Sequence, residues 1–165
     1  MFDSSTFTII HTVLSVVALL LGLVSIGGLL SGKSLSAIDL PYLATSVATS
    51  VTGFGFPFLK FLPSHGVGIL SLIALTIAVY ARTVGKLEGG WRWKYAVSTT
   101  VSVYFLVFVG VAQSFTKVEL LHAAAPTLAE GPFVATQAGV LLLFVLLGVG
   151  AVRMAPRGLG LARTA

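Results

Sequence analysis

The chain has 165 residues, 56% of them hydrophobic and 9% charged, with a mean hydropathy of +1.03. A soluble domain carries about 25% charged residues, so composition excludes a water-facing globule and points to an integral membrane protein in one compact unit. Ten Lys and Arg against five Asp and Glu give a formal charge of +5, and there is no cysteine, which excludes disulfides, thiolate metal sites, thiol nucleophiles and covalent haem attachment.

Charged residues divide the chain into five long uncharged intervals, each near the roughly 20 residues that a membrane-spanning helix needs. The expected fold is an all-α integral membrane bundle of five transmembrane helices, over about 7–30, 40–58, 65–84, 95–116 and 132–152. Residues 1–152 form one helical domain and 153–165 a basic C-terminal tail. The first run follows MFDSSTF, which carries Asp3 and no cation, so it reads as a span rather than a cleaved leader.

The second interval is the least apolar, and it decides the topology. Asp39 is placed to cap a helix with Pro41 in its first turn. Thr45, Thr49 and Gly53 then make a ridge of small residues, of the kind that lets helices approach closely in lipid. Its end, Val51-Thr52-Gly53-Phe54-Gly55, resembles the filter of potassium channels, T-V-G-[YF]-G. Valine and threonine are transposed, however, and Phe56-Pro57-Phe58 replaces a polar exit. The filter's carbonyls and threonine replace the water around an ion, so that order matters and a packed helix is the better reading. The alternative is four spans plus a re-entrant segment.

With five spans and the N-terminus outside, Lys33, Arg82, Lys86, Arg92, Lys94, Arg153, Arg157 and Arg163 lie inside, against Lys60 and Lys117 outside. That eight-to-two bias obeys the positive-inside rule, whereas four spans would give seven against three. Ahead of the fourth span, Trp91, Trp93 and Tyr95 beside Arg92 and Lys94 read as an interfacial anchor. The stretches ATSVATSVTGFGFPF, LPSHGVGI and GGWRWKY together resemble a family of small multi-span bacterial inner-membrane proteins to which no activity is attached. That resemblance implies a bacterial inner membrane, while the charge bias and span count put the N-terminus outside and the C-terminus in the cytoplasm.

Five spans bring the three histidines to the outer side: His11 near the start of the first span, His65 at the start of the third, His122 in the outer loop. Thr52, Gln113 and Gln137 fall at similar depth as supporting polar groups. Two cofactor readings follow. His11 and His65 could ligate a b-type haem between the first and third spans, with Gly66 and Gly68 leaving room for the macrocycle. Alternatively His11, His65 and His122 could hold copper or zinc, redox-linked activity being tied to the haem case. The competing classes are a structural or accessory subunit of a membrane complex, and a small channel or carrier. Asp39 and the other carboxylates fall outside the spans or at their ends, and no nucleophile, Walker or H-E-x-x-H motif is present. No catalytic residue is assigned. The expected partners are the lipid bilayer and either other membrane subunits or further copies of the chain, with no nucleic acid.

Overall fold

The computed structural model describes residues 4–33, 36–56 and 63–158. It is helical, in the order α1 (Ser4–Leu30), α2 (Ser36–Gly53), α3 (Pro63–Thr83), α4 (Trp91–Lys117), α5 (Glu119–Ala124) and α6 (Gly131–Gly158). Four helices, α1, α3, α4 and α6, are long and apolar enough to cross a membrane. Their outward faces carry side chains such as Leu20, Ile73, Leu142 and Leu146, which have no reason to be exposed in water and every reason to be in lipid.

α2 differs from those four. Its 18 residues give about 27 Å of helix, but the sequence expectation of 40–58 is shifted. The helix begins at Ser36, ends at Gly53, and closes in a tight turn where the Phe54 and Gly55 amides donate to Val51 O (3.1 Å) and Thr52 O (2.9 Å). The end of the expected span, from Pro57 onward, lies outside the described residues. α2 packs against α1 and α3, which share at most a marginal contact with each other, while α4 packs against α1, α3 and α6. α2 therefore separates the first helix from the third.

Close approach at the centre depends on Gly22. A Cβ there would stand 2.7 Å from Val103 Cγ2 and 2.8 Å from Tyr42 Cε2, so the absent side chain lets α1, α2 and α4 meet. Tyr42, Leu29, Leu75, Val103 and Phe144 build the core beside them. The interior also holds many hydroxyls. Those of Ser98, Thr100 and Ser102 donate to carbonyls about one turn back in their own helix, which keeps them satisfied without water.

Two sequence expectations change here. Tyr95 is not an interfacial anchor; it is fully buried, while Trp93 is exposed and Trp91 packs against Tyr80 with the Lys94 ammonium 4.1 Å from its ring centre. The expected basic tail begins as helix, because α6 continues through Arg153 and Arg157 to Gly158. Residues 159–165 lie outside the described residues.

Candidate functional site

The bundle has two polar ends joined along α2. At one end, His11 on α1 reaches α2, with Nδ1 2.9 Å from Thr52 Oγ1. The Thr52 hydroxyl is also 2.7 Å from Ala48 O as a donor. A threonine hydroxyl has one proton, so when it serves Ala48, His11 Nδ1–H donates to its lone pair. The imidazole edge meets the Phe56 ring at 5.1 Å, and Phe56 in turn meets Phe7 at 4.9 Å. His65 opens α3, is buried, and packs on Phe54 at 5.8 Å. Phe54 fits there because residue 68 is glycine, a Cβ at which would stand 3.1 Å from Phe54 Cζ. Gly68 thus makes room for an aromatic ring from the turn after α2.

The histidines do share one end, as the sequence suggests, and His11 and His65 both contact the Thr52–Phe56 turn. They do so from opposite sides, however, because α2 lies between α1 and α3. His122 is exposed on α5, and Gln113 is exposed on α4. Gln137 is buried on α6, where its Nε2 donates to Phe108 O at 3.0 Å while its Oε1 has no partner. Among the described residues no group of three or more His, Cys, Asp or Glu side chains could hold a metal ion. The donor set therefore lends no support to the metal and haem readings.

The other end holds the residues that the sequence did not single out as a site. Asp39, in the first turn of α2, accepts from Arg82, in the last turn of α3, at 3.1 Å; both side chains are about 95% buried. The Ser25 hydroxyl of α1 donates to the same carboxylate, and the Arg82 guanidinium lies 5.8 Å from the centre of the Tyr95 ring of α4. Four helices thus enclose one ion pair. Sequence places both charges at span ends, where they read as solvated, and the pairing emerges only from the antiparallel packing of α2 on α3. The one available signal was Asp39 and Arg82 at opposite termini of consecutive helices.

Between the two ends, α2 carries a polar group on its buried face at every turn. Tyr42 bonds Ser102 and lies 3.5 Å from Thr99 O, and Ser50 pairs with Ser71 at 3.2 Å. Ser46 and Thr49 are buried with no hydrogen-bond partner, as are the hydroxyls of Thr99 and Tyr95. Ser46 lies near Tyr42 and Thr99 near Tyr95, but without hydrogen-bonding geometry. From Asp39 to Thr52 this face is about 20 Å long at 1.5 Å per residue. Compared with family models, curated proteins and solved structures, the chain matches none.

Proposed function

We propose that the protein is a five-span carrier or channel of small size that passes protons along the buried face of α2. The observation carrying this reading is the file of buried polar groups that α2 presents between the Asp39–Arg82 pair and His11. Buried polar groups cost free energy unless they are paired, and ionisable residues inside a membrane protein mark ion or proton paths by default. The unpartnered Ser46 and Thr49 hydroxyls leave gaps in the column where water would complete a relay. α2 counts as the fifth span because its outward face is apolar, with Leu40, Pro41, Ala44 and Val51 exposed, while its polar face is turned inward. The N-terminus is then outside and the C-terminus cytoplasmic, in a bacterial inner membrane.

The test is proton flux into liposomes holding a pH-sensitive dye, driven by a potassium diffusion potential. Wild-type protein should acidify the lumen faster than protein-free vesicles, and the nearly isosteric Thr49→Val should slow it. Equal rates with and without protein would sink the reading. Reporters fused after Lys33 and at Ala165 should both be cytoplasmic, and a reporter at residue 33 found outside would return α2 to a re-entrant role.

A second reading keeps a cofactor, b-type haem at His11 and His65 or copper or zinc at His11, His65 and His122; what favours it is that His11 and His65 lie at the same end of the bundle. A Soret band or bound metal that disappears in His11→Ala and His65→Ala would support it. Protein that stays colourless and metal-free after reconstitution would leave the accessory-subunit class as the competitor to transport.

A further inference from the structure

We infer that the groove between α4 and α6 is a binding site for one acyl chain of an anionic phospholipid, with Arg153 holding the headgroup. The groove encloses about 450 Å³ and is almost wholly apolar, walled by Val97 and Val101 on α4 and by Leu141, Val145 and Val149 on α6. Tyr104 and Phe144, in ring contact at 5.8 Å, line it toward one end. Arg153 lines it at the other. From Leu141 to Arg153 the α6 wall runs about 18 Å at 1.5 Å per residue, a length suited to an extended acyl chain lying parallel to the helices.

Charge decides which lipid. Arg153 is exposed, and among the described residues it forms no ion pair or hydrogen bond with the protein. It lies at the same end of the bundle as Lys33, Arg82, Lys86, Arg92 and Lys94, because α6 runs antiparallel to α4 and meets the end of α1 where Leu30 approaches Gly150. A basic group at the membrane-surface end of an interhelical apolar pocket suits an anionic headgroup. Depth is supplied by Gly148, where a Cβ would stand 3.5 Å from Thr100 Cγ2. A Cβ alone would make ordinary contact there, but a side chain as large as leucine would project into the groove. The site depends on membrane insertion and is independent of the proton path along α2.

The test is native mass spectrometry of the full chain in mild detergent, offered phosphatidylglycerol or phosphatidylcholine with identical acyl chains. Wild-type protein should retain one phosphatidylglycerol in preference to phosphatidylcholine. Arg153→Gln, an exposed substitution that spares the core, should reduce that preference about 5-fold, the factor supplied by one cation near an anionic membrane surface. Gly148→Leu should abolish retention of both lipids, while Gly139→Leu, on the same helix with nothing within 4 Å, should leave it intact. Equal retention of the two lipids, or an unchanged preference in Arg153→Gln, would overturn the site. So would lipid-free dimers cross-linked through position 145, which would mean that a second copy of the chain covers the groove.

Discussion

The two ends of α2 solve the same problem differently. At Asp39 a full charge is sealed among four helices, with Arg82, Ser25 and the Tyr95 ring around it. At Thr52 the partner is an imidazole that is only half-buried, with its edge against the Phe56 ring. A buried charge tolerates no missing partner, because desolvation is large and only good geometry offsets it. A neutral ring with one hydrogen bond has no such demand. The Asp39 end is therefore fixed by its charge, while the His11 end carries no such constraint, a difference that the proposed proton path would use.

That contrast can be broken most directly at Asp39. Asp39→Asn should lower stability by about 3–5 kcal/mol by stranding the Arg82 charge, and the double variant with Arg82→Gln should recover most of the loss. Unfolding in detergent measures both; a single variant no worse than the double would remove the pair as the anchor of that end. Next in size is Gly22→Leu, which should cost about 1–3 kcal/mol by overpacking against Tyr42 and Val103, again read by unfolding. If it proves neutral, the centre is looser than the Asp39 end implies.

At the His11 end the effects should be smaller. His11→Ala removes one interhelical bond to Thr52 and should cost about 0.6 kcal/mol on the scale of such bonds in membrane bundles. A loss as large as that of Asp39→Asn would erase the contrast. The smallest effect is local. Glu130 accepts from the Thr127 hydroxyl at 2.7 Å and from the Thr127 and Ala129 amides, and the Thr127 bond is the first cause holding its carboxyl below the ordinary 4.5. The ionised carboxylate thus steadies the turn before α6 above that ordinary value, and the support is lost as pH falls through the lowered one. Amide exchange at Thr127 and Ala129, corrected for intrinsic rates, should show protection at neutral pH that fades in strong acid and is absent in Glu130→Gln. Protection that does not change with pH would show that the carboxylate does not hold this turn.

Four of the helices were legible because uncharged runs of span length leave few alternatives. The ends of α2 were not legible, since a Gly-Phe-Gly turn is indistinguishable from a fraying helix until Phe54 finds Gly68. Topology put His11 and His65 at one end of the bundle, but that both touch the turn after α2 was not anticipated. Nor was their placement on opposite sides of α2, because sequence orders the spans but says nothing of which neighbours touch. Tyr95 misled for a related reason: beside Trp and Arg it carries an interfacial signature, and only the angle of α4 turns it inward beneath Arg82.

Sequence alone determined the solvent: with so few charges and such long apolar runs, this chain must place most of its surface in lipid. Its charges also set which end of the bundle is basic. What tertiary structure decided is which polar groups meet. Whether Asp39 is a solvated helix-end residue or half of a buried ion pair depends on the packing of α2 against α3, and that contact joins residues 43 positions apart. No local pattern encodes such a pairing, because it costs or stabilises only once both partners have left water together.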